Sequence, residues 1–159
     1  DADDLLDHNY LEEQVKFMKE NGPIITAGYR RMAESTTTNF IPRESITYKQ
    51  LLTGNDCSCL TTMYDREVIG DIYFPEDLQR HEDFIFWLDI LSKGYVVKGN
   101  QKVLATYRII KTSKNGNKKK LVKPLFNLYH KVLKFNFFKS SWYLFKYCLY
   151  SKKKYKNVK

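Results

Sequence analysis

The chain has 159 residues, of which 43% are hydrophobic, so it can form one domain with a buried core. Its longest apolar stretch, residues 142–150, contains Lys146 and is too short for a membrane-spanning helix. The net charge of +9 is unevenly distributed, because residues 111–159 contain fifteen lysines and no acidic residue, whereas residues 1–110 have a net charge of −6. This distribution indicates an anionic partner for the tail, either lipid or nucleic acid.

Two aspartates open the sequence. Asp1 and Asp3 are separated by one residue, so in an extended segment both carboxylates lie on the same side. Such a pair, in a site open to water and phosphate, suits Mg²⁺ or Mn²⁺. The alternative is a polar loop before a helix, with Asp4 or Asp7 as the N-cap.

The next part of the chain predicts alternating helices and strands. Residues 7–21 have the spacing of an amphipathic helix, with an apolar face made of Leu11, Val15 and Met18. The elements expected after it are a buried strand over 24–29, a Thr-rich polar loop over 30–43, a short helix over 46–52, a strand over 57–64 and a turn or short helix over 65–70.

The three cysteines match neither a zinc site nor a disulfide framework. Cys57 and Cys59 would point to the same side of the predicted strand, and they lack the spacing of four zinc ligands. Together with Cys148 they are expected to be free thiols in a reducing compartment.

A second amphipathic helix is predicted over residues 81–93. Its apolar face, which would hold it against the core, consists of Phe84, Trp87, Leu88 and Leu91. Glu82 and Asp83 would lie in the first turn and point outward, where Asp83 could act as a general base. The alternative is that acidic residues occupy first turns because they suit the helix dipole.

The end of the chain predicts two short strands and two helices. The strands cover 95–98 and 103–109, joined by a turn over 99–102, and a lysine-rich linker follows over 111–120. The first helix has four apolar residues at helical spacing: Leu121, Leu125, Leu128 and Val132. The second helix, over 137–153, has an apolar stripe made of Phe138, Trp142, Phe145 and Leu149. Its lysines Lys139, Lys146 and Lys153 lie on another face. Alternating strands and helices predict an α/β layered domain.

Several motifs occur in a recognisable order. They are Asp1-Ala2-Asp3-Asp4, Leu11-Glu12-Glu13-Gln14, Cys59-Leu60-Thr61-Thr62, His81-Glu82-Asp83-Phe84 and Tyr107-Arg108-Ile109. This order resembles the C-terminal two-thirds of a bacterial family 2 glycosyltransferase with the GT-A fold. The resemblance implies a Rossmann-like mixed sheet with flanking helices, truncated at the N-terminus, over residues 1–113. Residues 114–159 would be a basic, aromatic-rich tail with a pair of amphipathic helices, as in family members that build cell-surface polysaccharide.

The resemblance also implies roles for individual residues. Asp3 would bind a divalent metal, Mg²⁺ or Mn²⁺, and Asp1 would face the metal or the ribose. Asp83 would be the catalytic base with Glu82 beside it in the acceptor site, and Arg108 would lie near the diphosphate. The helix dipole would keep Asp83 ionised and a weak base. Many relatives have a His where this chain has Ile110.

The implied activity is that of a hexosyltransferase. It would transfer a sugar, with inversion, from a UDP-linked donor to a hydroxyl of a saccharide or lipid-linked saccharide. The protein would be cytoplasmic and peripheral on the inner face of the cell membrane. Because the family's nucleotide-binding half precedes the Asp-x-Asp motif, about ninety further residues are expected upstream, and without them the chain is expected to be inactive.

Two alternatives concern the tail. Lysines interleaved with Phe126, Tyr129, Phe135, Trp142 and Tyr147 could suit a module that binds single-stranded nucleic acid. That hypothesis leaves the paired acidic motifs unexplained, so no nucleic-acid partner is expected. The tail helices are expected to lie on an anionic membrane surface; the alternative is that they pack on the catalytic domain with their lysines in solvent.

Overall fold

The computed structural model describes residues 4–33, 36–75, 81–109 and 119–154. Asp1, Asp3, Ile110 and most of the predicted lysine-rich linker lie outside the described residues. In chain order the elements are β1 (Leu5–Leu6), α1 (Tyr10–Asn21), β2 (Ile24–Met32), β3 (Thr37–Phe40), β4 (Ser45–Ile46), α2 (Tyr48–Leu51), β5 (Met63–Tyr64), α3 (Arg66–Ile69), α4 (Glu82–Ser92), β6 (Val97–Arg108), α5 (Lys119–Asn127), a π-helical turn (Leu128–Val132) and α6 (Phe137–Lys154).

A mixed sheet is built around β2 and β6, which run parallel to each other. Its strand order is β1-β6-β2-β3, with β4 also paired to β6 and β5 to β2, and these other pairs are antiparallel. Parallel neighbours need a crossover, which the segment from β3 through α4 supplies. The expected α/β class with a mixed sheet and flanking helices is confirmed.

The predicted turn at residues 99–102 is wrong. β6 runs without interruption through it, and the register with β2 shifts between the pairs Ala27–Asn100 and Gly28–Val103. The extra residues form a bulge in which the Asn100 side chain accepts from the Lys102 N–H at 3.1 Å. Turn-type residues can form either a hairpin or a bulge, and pairing with a parallel neighbour selects the bulge.

The strand predicted over residues 57–64 also needs correction. Residues 57–62 form a loop, and only Met63–Tyr64 pairs in the sheet. The side chains of Asn55 and Ser58 accept from the backbone N–H groups of Cys57 and Leu60, at 3.0 and 3.2 Å, and such local bonds compete with a strand. Cys57 and Cys59 therefore do not share a strand face: Cys57 is buried and Cys59 is exposed, and both are free thiols.

The polar segment 30–43 was expected to be a loop, but its threonine-rich part forms β3 and pairs with the end of β2. The pairs run from Tyr29–Phe40 to Met32–Thr37. Threonine is β-branched and favours strands, so pairing with the preceding strand was enough to order this segment.

Helix α1 packs through a face other than the one predicted. Leu11 and Val15 are exposed, whereas Tyr10 and Gln14 are buried. The fully buried amide of Gln14 donates to the Thr61 carbonyl at 3.0 Å and accepts from Asn100 at 3.2 Å. Because its hydrogen bonds are satisfied, burying this polar side chain costs little and ties α1 to the sheet.

Helix α4 lies at the centre of the main core. The predicted apolar face of Phe84, Trp87, Leu88 and Leu91 is buried, as are Phe86 and Ile90. Leu125, Leu128 and Tyr129 of the tail belong to the same core cluster, and the Tyr129 hydroxyl donates to the Leu52 carbonyl at 2.7 Å. Within the described ranges, no helix is long and apolar enough to cross a membrane.

Candidate active site

The first turn of α4 presents the two carboxylates that the sequence singled out. The helix begins after His81, whose φ of 64° lies in the left-handed region. Glu82 is exposed and Asp83 is mostly buried. Since the following apolar residues anchor α4 in the core, the position of Asp83 is set by the scaffold.

Asp83 is in contact with the loop that follows α2. Asn55 Nδ2 donates to Asp83 Oδ2 at 3.3 Å. Burial raises the pKa of Asp83, the charge of Glu82 adds to this effect, and the backbone N–H of Phe84 opposes it. The helix N-terminus was expected to keep Asp83 a weak base; instead desolvation outweighs the backbone donors, and the carboxylate is a stronger base than an exposed aspartate.

The loop around Asn55 is held by a buried ion pair. Asp56 is fully buried and accepts from Arg43 Nε at 2.7 Å and from the Arg43 backbone N–H at 3.1 Å. Arg43 also donates to the Gly54 carbonyl at 2.7 Å. The Tyr150 hydroxyl of α6 donates to the other oxygen of Asp56. A buried carboxylate with several donors is well placed to fix a loop, and this loop carries the partner of Asp83.

The charges of the two carboxylates act on Cys59. Although Cys59 is exposed as a residue, partial desolvation of its thiol raises its pKa to about 11, with further contributions from the negative charges of Asp83 and Glu82. The thiol is therefore protonated at neutral pH and is not an activated nucleophile. At this site the Asp83 carboxylate, and not the Cys59 thiol, is the group suited to proton transfer.

The tail reaches the same loop. Lys154 Nζ, at the end of α6, donates to the Asn55 carbonyl at 2.8 Å and lies 3.8 Å from the centroid of the Phe40 ring. Arg31 donates to the Lys154 carbonyl. Gly54 faces the Tyr150 ring so closely that a Cβ there would overlap it. The end of the tail is therefore part of the site's support.

Arg108 lies apart from this group, at the C-terminal end of β6. Its side chain is exposed, and its backbone N–H donates to Asp4 Oδ1 at 3.1 Å. Because β2 and β6 are parallel, Arg108 pairs with the last residue of β2, Met32. The structure thus brings Glu82 and Asp83 together on α4 and places Arg108 beside Asp4, the residue that follows the Asp-x-Asp motif.

The predicted metal ligands, Asp1 and Asp3, cannot be placed, because they lie outside the described residues. Within the described part of the chain, no group of three His, Cys, Asp or Glu side chains could hold a metal ion. The donor set of Asp1 and Asp3 nonetheless fits Mg²⁺ or Mn²⁺ by its chemistry, since carboxylate oxygens are the ligands that these hard cations prefer.

Sequence reasoning missed Asn55, Asp56, Arg43 and Lys154 as parts of the site. Asn55 and Asp56 follow Gly54 and have the composition of an ordinary turn. Arg43 was the end of a predicted loop, and Lys154 was one lysine in a run of three. The contacts that give these residues a role join positions far apart in the sequence; Lys154 and Asn55, for example, are 99 residues apart.

The comparisons with known proteins point to one class of enzyme. No family model matches the chain. TuaG of Bacillus subtilis, named as a glycosyltransferase of teichuronic acid biosynthesis, is 34% identical over 158 residues, which cover 97% of this chain and 62% of TuaG. An uncharacterized glycosyltransferase of Haemophilus influenzae is 32% identical over 161 residues, covering 98% of this chain and 63% of that protein.

A third relative carries a more specific name. WfgD of Escherichia coli, named as a UDP-Glc:alpha-D-GlcNAc-diphosphoundecaprenol beta-1,3-glucosyltransferase, is 29% identical over 126 residues, covering 77% of this chain and 49% of WfgD. The chain spans about three-fifths of the length of the first two relatives, at 62% and 63%. The first two similarities extend over nearly the whole chain, and all three relatives are named as glycosyltransferases.

Proposed function

We propose that the protein is a glycosyltransferase that moves a sugar from a nucleotide-sugar donor to an acceptor hydroxyl in cell-surface polysaccharide synthesis. The observation that carries this proposal is Asp83, a carboxylate with a raised pKa that the core helix α4 and Asn55 hold in place. Because the chain is similar to proteins named as glycosyltransferases, we propose that the group from which Asp83 takes a proton is a sugar acceptor hydroxyl. We further propose family 2 membership and the GT-A fold.

In the proposed reaction, Asp83 takes the proton of the acceptor hydroxyl as the acceptor oxygen bonds to the anomeric carbon. The bond from that carbon to the nucleoside diphosphate breaks on the opposite face, so the configuration inverts. A positioned carboxylate whose pKa is raised toward the working pH is better suited to this transfer than an exposed one. Glu82, exposed beside Asp83, is proposed to contact the acceptor.

Asp1 and Asp3 are proposed to bind a divalent metal, Mg²⁺ or Mn²⁺. A bound metal would neutralise charge on the departing diphosphate. Arg108, which is exposed at the end of β6 and whose backbone N–H donates to Asp4, is proposed to place a positive charge near that diphosphate. We propose a UDP-linked sugar as the donor, because WfgD is named for UDP-Glc.

The acceptor is proposed to be a lipid-linked saccharide, as in the name of WfgD. The tail favours a membrane location, because its helix α6 has two different faces. Tyr143, Leu144 and Tyr147 pack against the core, whereas the stripe of Phe138, Trp142, Phe145 and Leu149 is exposed, with Phe138 at 83%. We propose that this stripe lies on the cytoplasmic face of an anionic membrane, with the tail lysines near the headgroups.

Replacement of the proposed base tests the function. In the full-length protein, Asp83→Asn should lower sugar transfer by about 10² to 10⁴ and leave donor binding nearly unchanged, because only proton abstraction is lost. Transfer is measured with labelled nucleotide sugars and a lipid-linked acceptor. Asp89→Asn is the matched control, since Asp89 is exposed on the same helix and pairs with Lys93. Near-normal transfer by the Asp83 variant would contradict the assignment.

A further inference from the structure

The loop after α2 holds Asn55 through contacts on both sides of it. The next residue, Asp56, is fully buried, and its carboxylate accepts from Arg43 Nε at 2.7 Å and from the Arg43 backbone N–H at 3.1 Å. On the other side, Arg43 donates to the Gly54 carbonyl at 2.7 Å. Asn55 therefore lies between two residues that the same arginine holds in place.

The Asn55 side chain meets Asp83 in one orientation. Its Oδ1 accepts from the Cys57 backbone N–H at 3.0 Å, which forms an Asx turn. Because the amide oxygen is engaged there, the amide nitrogen faces Asp83 and donates to Asp83 Oδ2 at 3.3 Å. The opposite orientation would place the amide oxygen against a carboxylate and the amide NH₂ against an N–H group. Asn55 thus presents a donor to the proposed base.

One hydroxyl of the tail completes the anchor of this loop. The Tyr150 hydroxyl of α6 donates to the Asp56 oxygen that Arg43 does not engage. Burial and the negative charge of Asp56 raise the pKa of Tyr150, so the hydroxyl keeps its proton and remains a donor. The Tyr150 ring contacts Gly54, and its centroid lies 4.7 Å from Arg43 Cζ. The ring and the hydroxyl therefore contact different groups, and a substitution can remove one and keep the other.

We propose that Tyr150 is a positioning residue for sugar transfer, because its hydroxyl, through Asp56 and Asn55, fixes the direction of the Asp83 carboxylate. This inference rests on the proposed function. The terminal torsion of an Asp side chain has only broad preferences, so a hydrogen bond to Oδ2 also determines where Oδ1 points. A general base must lie within hydrogen-bond reach of the proton that it takes, and a small displacement lowers the rate strongly. Tyr150 contacts no reacting atom in this scheme and acts through the loop.

The titration of Asp83 provides a measurement that a purely structural role would not change. A donor stabilises the ionised carboxylate, so displacing the amide donor should raise the pKa of Asp83 and move the acid limb of the pH–rate profile to higher pH. Other charges that act on this carboxylate come from α4, where Glu82 raises its pKa and His81 lowers it. The Cys57 and Cys59 thiols of the loop stay protonated at neutral pH, since desolvation raises their pKa values.

The test removes single hydroxyls from the full-length protein. Tyr150→Phe keeps the ring against Gly54; it should lower kcat about tenfold, leave the KM for the acceptor within about twofold and shift the acid limb to higher pH. Tyr129→Phe is the matched control, because it removes another tail hydroxyl, which donates to the Leu52 carbonyl at the end of α2, and it should change neither kcat nor the pH profile. Asn55→Ala should reproduce both effects of Tyr150→Phe. The double variant should be no slower than Asn55→Ala alone, because both substitutions act through one contact.

A second measurement needs no turnover. Carbon-13 NMR titration of the aspartate carboxyls, with Asp83 assigned from Asp83→Asn, should show a higher pKa for Asp83 in Tyr150→Phe and in Asn55→Ala but not in Tyr129→Phe. Equal behaviour of the two tyrosine variants would overturn the proposal, because Tyr150 would then have only a structural role. Losses that multiply in the double variant would also overturn it, because Tyr150 would then not act through Asn55. A raised pKa in both variants of a protein that transfers no sugar would contradict the proposed function and still support the positioning of Asp83 by Tyr150.

Discussion

At the scale of single residues, the properties of Asp83 result from a competition between burial and the helix N-terminus. Donors in the first turn stabilise a carboxylate, and burial destabilises it. Here burial is the larger effect, so the pKa of Asp83 is raised. A buried charge of this kind costs folding free energy, and such costs are commonly found where a residue serves catalysis.

We predict that Asp83→Asn stabilises the fold at neutral pH while it removes activity. A raised folded-state pKa means that the native protein binds this proton more tightly than the unfolded chain. The carboxylate therefore destabilises the fold above its folded-state pKa and has no such effect below the unfolded-state value. The gain in unfolding free energy should be on the order of 1 kcal/mol at pH 7.

The pH dependence is the check on this prediction. Chemical denaturation of the wild type and the variant, followed from neutral to acidic pH, should show a difference that shrinks as Asp83 becomes protonated. Asp89→Asn, at an exposed position, should show little gain. An Asp83 variant that is less stable than the wild type at pH 7 would show that the carboxylate is a stabilising partner instead.

At the scale of secondary-structure elements, α6 reconciles the two hypotheses for the tail. Its inner face packs on the core through residues such as Tyr147, whose ring meets Phe84 edge-on at a centroid distance of 5.6 Å. Its outer face keeps the predicted apolar stripe exposed. Lys146 lies 4.7 Å from the centroid of the Trp142 ring, so charge and aromatic surface are interleaved on that face. Packing therefore accounts for one face, and the proposed membrane contact concerns the other.

We predict that the outer face of α6 drives membrane binding. The double variant Trp142→Ser, Phe145→Ser should reduce flotation with anionic vesicles at least about tenfold, because two large apolar side chains no longer enter the interface. Leu11→Ser, Val15→Ser is the matched control, since both residues are exposed on α1. Binding by the wild type should rise with phosphatidylglycerol content and fall with salt. Wild-type protein that stays in the soluble fraction at every lipid composition would contradict the prediction.

At the scale of the whole molecule, the tail contributes to the same core as the sheet and α4. Leu125, Leu128 and Tyr129 are buried with Phe84 and Leu88 in one cluster. Deleting the tail would therefore expose core surface as well as remove lysines. For that reason, point substitutions separate stability from membrane binding more cleanly than truncation does.

We predict that Tyr129→Phe destabilises the protein by about 1–3 kcal/mol, because the buried Leu52 carbonyl loses its donor. The aromatic ring is retained, so packing in the core is little changed. Thermal and chemical denaturation measure the loss, and Tyr73→Phe is the control because Tyr73 is largely exposed. Unchanged stability in the Tyr129 variant would mean that the tail's contact with the α2 region is not energetically important.

The parts of the fold that were predicted correctly are those governed by local spacing. Helix α4 was predicted with its buried face because four large apolar residues repeat at its helical period. β2 was predicted because a continuous apolar run needs burial on both sides. The apolar stripe of α6 was also identified, although its spacing could not show that this stripe faces outward.

The sequence by itself determined the α/β class, the helix that carries Glu82 and Asp83, and the unequal distribution of charge. The tertiary structure decided which face of α1 is buried, that residues 99–102 form a bulge, and that Asn55, Asp56, Arg43 and Lys154 support the site. The physical reason is the sequence separation between the residues that interact. Helical and strand periods arise between residues a few positions apart. The contacts of Asn55 with Asp83 and with Lys154 instead depend on how the sheet and helices pack, because packing brings together residues that are far apart in the sequence.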